Sequence, residues 1–183
     1  MKVEVIRNEI IIRELTVNDI PFCNIQGRDT GSIYYNPQRP EHSLRVSVED
    51  PSVVEFLDGV GVPLREHVTA DGKIESWSFK VKVYPRIGQN RITGEEEQLP
   101  KILIKDPGCD NVRLPYESFN LIDSAVYHNN VIDISIAFHM YEAKPYNRMT
   151  AALDELKLVA NSYDELISQS AVNEEYRNGY LDD

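Results

Sequence analysis

One stretch of the sequence places basic and aromatic side chains at every second position. Residues 76–86 alternate between apolar and polar types, which is typical of a half-buried β-strand. Trp77, Phe79 and Val81 share the apolar face. The opposite face carries Lys80, Lys82, Tyr84 and, past a proline, Arg86. Cations attract anionic groups and an exposed ring can stack on a flat one, so this face is the first candidate for a binding surface.

Other cations and rings extend this candidate surface along the chain. A Gly-rich turn around Arg28 leads to the adjacent Tyr34 and Tyr35, and a predicted strand carries Arg45. The full set of candidate binding residues is Arg28, Tyr34, Tyr35, Arg39, Arg45, Lys80, Lys82, Tyr84, Arg86, Arg91, Lys101 and Lys105. The alternatives are an ordinary solvated surface for the charges and strand packing for the tyrosines, one of which must point inward by alternation.

The overall charge opposes an anionic partner, but its distribution is uneven. The 183 residues carry 19 Lys and Arg against 30 Asp and Glu, a net charge of −11. Residues 164–183 hold six acids and one base, whereas residues 73–105 hold seven bases and four acids. Because a field near a ligand is set within a Debye length of roughly 8 Å, the net charge does not exclude local binding of an anion.

The sequence lacks the motifs of the common catalytic sites. It contains neither a phosphate-binding Gly-x-x-x-x-Gly-Lys loop nor a dinucleotide-binding Gly-x-Gly-x-x-Gly turn. The four histidines are not spaced as zinc ligands. A metal nuclease using Asp123, Asp133 and Glu142 is a less favoured alternative, because the accompanying lysine motif is missing, and Cys109 has no base nearby in sequence. We therefore predict no enzymatic activity, cofactor or metal.

Composition and cysteine usage indicate the compartment. With 42% hydrophobic residues the chain can build one proper core. Its two cysteines, Cys23 and Cys109, fit no disulfide framework, and no apolar run reaches the roughly 20 residues that cross a bilayer. We expect a cytoplasmic protein without a membrane segment.

Most of the predicted elements are strands. Residues 2–17 are predicted as one long bent strand, and residues 24–36 as a strand that returns over 43–49. Asp50 and Pro51 open a helix that ends at Gly59. The strand over 76–86 is predicted to pair with a strand over 101–105 across a long loop, residues 87–99.

The C-terminal part contributes one clear strand and several ambiguous segments. Residues 131–142 form the clearest predicted strand, with Ile132, Ile134, Ile136, Phe138 and Met140 on its core face and His139 on its outer face. Residues 149–160 fit either strand or helix, and 115–121 and 161–170 are predicted to be helical. The sequence thus indicates a mainly β protein with one or two short helices, a small antiparallel barrel or sandwich.

The order of these segments resembles a bacteriophage family of OB-fold single-stranded-DNA-binding proteins. The likeness rests on short segments in sequence order that span most of the chain. They are Ile10-Ile11-Ile12-Arg13, Asn36-Pro37 with Arg39, Leu44-Arg45-Val46-Ser47-Val48, Glu49-Asp50-Pro51, the strand from Trp77 to Tyr84, Asn120-Leu121-Ile122-Asp123, Val131 to Ile136 and the acidic end. The departures are the long loop 87–99, a low aromatic content over 149–160 and a tail without a terminal phenylalanine.

The resemblance implies a single OB-fold-like barrel over residues 1–162, followed by a helix and acidic tail over 163–183. It further implies a non-catalytic protein that coats single-stranded DNA during phage replication or recombination, in the host cytoplasm. The candidate residues would then supply backbone contacts and stacking platforms, and the tail would contact phage replication or recombination proteins. The rival hypothesis is a barrel that acts through protein contacts, as a virion component or an inhibitor of a host enzyme.

Overall fold

The computed structural model describes residues 1–105, 108, 111–115, 131–143 and 148–160. These residues form twelve strands and one helix. In chain order they are β1 (Lys2–Ile6), β2 (Glu9–Val17), β3 (Asp19–Asn24), β4 (Ser43–Val48), α1 (Pro51–Gly59), β5 (Arg65–Val68), β6 (Ile74–Lys82), β7 (Arg86–Gln89), β8 (Glu96–Leu99), β9 (Lys101–Lys105), β10 (Val112–Arg113), β11 (Val131–Ala143) and β12 (Arg148–Ala160).

The main sheet closes on itself through the bend between β2 and β3. β2 pairs with β11, and β3, which follows after one residue, pairs with β4. From there β4 pairs with β6, β6 meets β12 in parallel, and β12 pairs with β11. The result is a five-stranded barrel whose long first strand contacts both the second and the fourth strand. This is the arrangement of an OB-fold, a small Greek-key barrel.

The barrel interior is filled by the apolar faces that alternation predicted. Phe79 of β6 and Phe138 of β11 are fully buried, and their ring centroids lie 5.4 Å apart. Leu44, Val46 and Val48 contribute from β4. Trp77, predicted to face the core, is partly buried and packs against it.

Helix α1 forms over the residues that the sequence predicts and packs against the barrel. Asp50 caps it by accepting a hydrogen bond from the Ser52 backbone N–H at 2.9 Å, and Pro51 occupies the first turn. The Ser52 hydroxyl, which donates to the same carboxylate at 2.8 Å, and secondly this backbone bond hold the pKa of the Asp50 carboxyl below its usual range. Leu57 is the fully buried residue of the helix and joins the barrel core.

The structure differs from the predicted strands at three places. Residues 2–17 are two strands that turn back at Arg7 and Asn8, because Arg7 adopts a positive φ of 56°. The partner of β4 is β3, while residues 25–42 form a loop. β6 does not pair with β9, which lies parallel to β12 instead. The barrel is therefore of mixed rather than purely antiparallel pairing.

The residues 86–99 fold into a small hairpin of β7 and β8 rather than an open loop. His139, predicted to face outward, is only 7% exposed, and its ring nitrogen Nδ1 lies 2.9 Å from the buried Asp154 carboxylate. Ile132, predicted to face the core, is exposed because the register shifts between Val131 and Asp133. The segment 149–160 is strand β12.

Several predictions fall outside the described residues. They are the helical turn 115–121 beyond Pro115, the helix over 161–170, the boundary after residue 162 and the acidic tail. In the ranges that the structure covers, no helix is both long and apolar enough to traverse a bilayer.

Candidate functional site

Two cavities adjoin on the outer face of β4 and β6 and share the side chains of Arg45 and Lys80. The first, of about 390 Å³, opens between these strands and the loop 25–42. The second, of about 350 Å³, lies between β6, the start of β5 and the start of β12. Together they form one continuous groove, which we call the basic groove. The residues that define it are Phe22, Arg28, Tyr34, Tyr35, Arg39, Glu41, Arg45, Arg65, Lys80, Lys82 and Thr150.

Alternation along two paired strands positions the cations of the groove floor. The register sets Arg45 directly opposite Lys80 and Ser43 opposite Lys82. The intervening Leu44 and Val81 point into the barrel, so the charged side chains must point out. Like charges directly opposite on neighbouring strands destabilise a sheet. Arg45 and Lys80 repel each other, and because both point away from the barrel they add nothing to its core packing. An anion lying over both groups would relieve the repulsion.

The second cavity concentrates positive charge. Arg45, Arg65, Lys80 and Lys82 all line it, and none of the described residues that line it is acidic. Burial lowers the pKa of Lys80, and the neighbouring Lys82 lowers it further. Burial also lowers the pKa of Arg45, with a second contribution from Arg65. Both depressions have the direction expected of cations that are partly buried beside other cations.

Arg45 is held in place by the buried Ser78. The Ser78 hydroxyl oxygen accepts hydrogen bonds from Arg45 Nε at 3.2 Å and from an Arg45 terminal nitrogen at 3.1 Å. The same hydroxyl oxygen lies within hydrogen-bond distance of His67 Nε2, at 2.7 Å. His67 therefore helps to hold Ser78 in place. The guanidinium group is pre-positioned on the groove floor.

The loop 25–42 forms the wall of the first cavity and is built from local side-chain turns. Asn24 bonds the backbone N–H and C=O of Arg28, each at 2.9 Å, which closes a turn around Gly27. Gly27 has a φ of 67°, and a Cβ there would lie 2.8 Å from the His42 ring, so only glycine fits. Gln26 then orients Arg28 by accepting from its Nε at 2.9 Å.

Further turns along the same loop explain why it is not the predicted strand. Asp29, Ser32 and Asn36 each accept a hydrogen bond from the backbone N–H two residues onward. These bonds replace the ladder bonds that a strand would need. As a result Tyr34 is 87% exposed at the groove wall, so its ring has no packing role in the barrel.

One acid enters the groove. Glu41, at the end of the loop, forms an ion pair with Lys80, and both side chains are about half exposed. Because the pair is open to solvent, it contributes little stability. It does, however, place a carboxylate where an incoming anion would contact Lys80.

The structure separates the twelve predicted binding residues into four groups. Seven of them line the basic groove: Arg28, Tyr34, Tyr35, Arg39, Arg45, Lys80 and Lys82. Tyr84 lies just past β6, where its hydroxyl is 2.9 Å from that of Tyr141. Burial and this hydrogen bond raise the pKa of Tyr141 to about 12. Lys101 and Lys105 lie on β9 and line neither groove cavity.

Arg86 and Arg91 belong to a different constellation. Both face the fully buried Asp154, at 3.3 Å and 3.8 Å, and His139 Nδ1 lies 2.9 Å from the same carboxylate. Arg91 is also paired with Glu9 at 2.8 Å. These contacts clip the β7–β8 hairpin to the barrel, beside a separate cavity of about 720 Å³. Three of the charged residues that line this larger cavity, Glu9, Arg86 and Arg91, are held in ion pairs.

Among the groove residues that the sequence did not predict, Arg65 supplies a further cation and Phe22 a further ring. Arg65 begins β5 opposite Ser78, and its only sequence signal is alternation with His67 over a four-residue strand. Phe22 is 38% exposed on β3 because the register shift between Asp19 and Phe22 turns it outward. No periodicity rule places an aromatic on the solvent side of a buried strand.

The described residues offer no metal centre. Within those ranges no group of three or more His, Cys, Asp or Glu side chains is arranged to hold a metal ion. The chemistry available in the groove is charge attraction, hydrogen bonding and ring stacking.

Comparisons with known proteins give structural similarities only. No family model matches the sequence, and no curated protein matches it. The chain is similar to a C-terminally truncated single-stranded DNA-binding protein from bacteriophage Enc34, with 13% identity, 85% of this chain and 87% of that chain covered, and a TM-score of 0.47. It is also similar to another structure of that phage protein, with 10% identity, 88% of this chain and 90% of that chain covered, and a TM-score of 0.44. A third similar structure is that phage protein in complex with ssDNA, with 10% identity, 85% of this chain and 88% of that chain covered, and a TM-score of 0.42.

Proposed function

We propose that this protein binds single-stranded DNA in the basic groove without strong sequence preference. The observation that carries the proposal is the position of the charge. Four cations line one cavity beside β4 and β6, the second and third barrel strands. The adjoining cavity is walled by the loop 25–42, which joins the first and second barrel strands. In OB-folds, that face and the adjoining loops bind oligonucleotides.

The groove supplies both parts of a single-strand site. Arg45, Lys80 and Lys82 would contact successive phosphates along β4 and β6, where the strand spacing of about 4.8 Å brings the side chains close together. The exposed rings of Tyr34 and Phe22 would receive unstacked bases, each stack contributing about 1–3 kcal/mol. A duplex has no free base faces to offer these rings, so single strands are preferred.

The test is a charge reversal with a matched control. Lys80→Glu combined with Lys82→Glu should abolish binding of labelled oligo-dT in fluorescence anisotropy and leave the melting temperature nearly unchanged, since neither side chain supports the core. The same reversal at Lys101 and Lys105 adds equal negative charge on β9 and should weaken binding far less. In the unmodified protein, log affinity should fall with log salt, with a slope of about −0.7 for each phosphate contact.

Specific results would refute the proposal. Equal losses from the two double reversals would mean that the groove is not the site. Equal affinity for single strands, duplex and RNA would contradict the stacking mechanism. A folded protein that binds none of the three would favour the rival function, contact with another protein.

The biological role we propose is coating of single strands during phage replication or recombination, with the acidic end contacting partner proteins. The residues after Ala171 carry four acids and one base. Such a segment can compete with DNA for a cationic groove, which would reduce the binding-competent fraction. Deleting the residues after Ala171 should therefore tighten oligo-dT binding at low salt and have less effect at high salt, where the attraction is screened. Equal affinities of the truncated and full chains at low salt would exclude this competition.

A further inference from the structure

Strand β1 is an open edge of the main sheet. It stands first in the strand order, and among the described residues only β2 pairs with it. All five of its residues are exposed. Val3 is 41% and Val5 71% exposed, although both would be ordinary core residues by type. An open edge with apolar side chains is a template for pairing with another strand.

The turn at Arg7 and Asn8 determines which backbone N–H and C=O groups of β1 point away from β2 and are free to pair with another strand. Ile6 and Glu9 flank this two-residue turn and are register partners. In such a hairpin the flanking pair exchanges both backbone hydrogen bonds, and bonded pairs then recur at every second residue. The N–H and C=O groups of Glu4 and Lys2 are therefore directed at β2. Those of Val3 and Val5 are directed at the open edge.

We propose that the occupant of this edge is β1 of a second copy of the chain, paired antiparallel about a two-fold axis at Val3. The two copies can form backbone hydrogen bonds only in registers where residues whose N–H and C=O groups face the open edge stand opposite each other. Two such registers pair most of the strand, one centred on Val3 and one centred on Glu4. The first sets Lys2 against Glu4 of the second copy, twice. The second sets Glu4 against Glu4, which repels.

The side chains already present on this edge favour self-pairing over pairing with an unrelated strand. Glu4 lies 2.9 Å from Arg13 and Lys2 lies 3.2 Å from Glu14, so the edge presents charges of both signs in a set order. A foreign strand would have to match this order of positive and negative charge. A second copy matches it by symmetry, and the two-fold contact leaves neither β1 edge open, so pairing stops at two chains.

The contact between the two β1 strands is short, so the dimer is weak. Stable interfaces bury about 1,200–2,000 Å², more than one five-residue edge can supply. The pair therefore exchanges with the monomer and is populated at high protein concentration. This inference does not depend on the proposed DNA binding.

The experiment is sedimentation velocity of the full chain without DNA, over a concentration series. The weight-average mass should rise from 21.0 kDa towards twice that value. Val3→Pro removes an outward N–H that β2 does not use, and should hold the protein at the monomer mass. Val3→Ala, which keeps the N–H, should still dimerise. A monomer at every concentration, or a dimer unaffected by Val3→Pro, would overturn the proposal.

A charge exchange tests the register and does not depend on how well the proline variant folds. Lys2→Glu and Glu4→Lys each create like charges across the two-fold axis, so each variant alone should remain monomeric. An equimolar mixture restores opposite charges at both positions and should form dimers. If Lys2→Glu alone dimerises as the unmodified protein does, or if the mixture stays at 21.0 kDa, the register at Val3 is wrong.

Discussion

At the scale of single residues, the Glu41 carboxylate in the basic groove competes with an anionic ligand for Lys80. Glu41 and Lys80 form an ion pair, and a phosphate that binds Lys80 competes with the carboxylate of that pair. Replacing Glu41 with glutamine removes that competition and one negative charge from the groove wall. We expect Glu41→Gln to tighten oligo-dT binding several-fold at low salt, measured by fluorescence anisotropy.

The control for this prediction is a second acid on the same strand as Lys80. Glu75→Gln makes the same change of charge at an exposed position that lines neither groove cavity. It should leave the affinity almost unchanged. Equal gains from both variants would mean that Glu41 acts only through the net charge of the protein.

A second residue, Glu155, links stability to pH. Burial raises the pKa of its carboxyl above the ordinary value of 4.5, although Lys101 and Lys157 oppose the shift. Between the unfolded and folded pKa values the native state holds more protons, so stability falls as pH rises through that range. Glu155→Gln should therefore raise the melting temperature at neutral pH, and its advantage should shrink as the pH falls below 4.5. The exposed Glu96→Gln is the control, and a pH-independent difference would contradict the assignment.

At the scale of elements, the β7–β8 hairpin depends on a buried carboxylate. Asp154 is fully buried between His139 and two arginines of the hairpin segment. Removing one partner of a buried ion pair costs roughly 3–5 kcal/mol, because the remaining charges lose their compensation. Asp154→Asn should lower the free energy of unfolding by an amount of this order in a denaturant titration.

The location of the effect distinguishes this prediction from general destabilisation. Hydrogen exchange in the Asp154→Asn variant should accelerate over residues 86–99, while the folded fraction keeps its affinity for oligo-dT. The exposed Asp133→Asn on the neighbouring strand should do neither. Uniform acceleration over the whole barrel would show that the carboxylate stabilises the core and not the hairpin.

The elements that the sequence predicts are those whose pattern is local. Alternation placed Lys80 and Phe79 on opposite faces of β6, and the Asp50 cap located the helix, because each depends on neighbours in the chain. The loop 25–42 was misjudged because the turns at Asp29, Ser32 and Asn36 compete with the β propensity of its tyrosines. The hairpin over 86–99 and the parallel partner of β9 depend on contacts with β12, which no local pattern reports.

Only the part of the candidate site that depends on local alternation could be predicted from the sequence. Arg45, Lys80 and Lys82 are on the predicted faces of predicted strands. Arg86 follows the same alternation, yet the chain turns at Pro85 and its side chain meets Asp154. Spacing along one strand cannot anticipate an acid contributed by another.

At the scale of the whole molecule, the barrel has a seam. β6 and β12 meet through a single bridge, between Lys82 and Ala152, whereas β4 pairs with β6 along six residues. The second groove cavity spans this seam, with Lys80 and Lys82 on one side and Thr150 on the other. Amides beside the bridge should exchange fastest among the barrel strands and become protected when oligo-dT is added.

Hydrogen–deuterium exchange with mass spectrometry measures this directly. Protection should appear in peptides over 78–82 and 149–153, on both sides of the seam. Peptides over 86–99 serve as the internal control and should change little. Protection restricted to 86–99 would place the ligand over the hairpin and its cavity.

The bent first strand has a consequence for synthesis of the protein. β2 lies beside β11, so Ile12 finds its neighbour Phe138 only after most of the chain has left the ribosome. Until then the apolar run from Ile10 to Ile12 has no sheet to join except β1. A nascent chain that stops before β11 cannot close the barrel, however well its β3, β4 and β6 have paired. The apolar run of β2 therefore lacks its native neighbours until β11 and β12, the two strands that complete the fold, have been made.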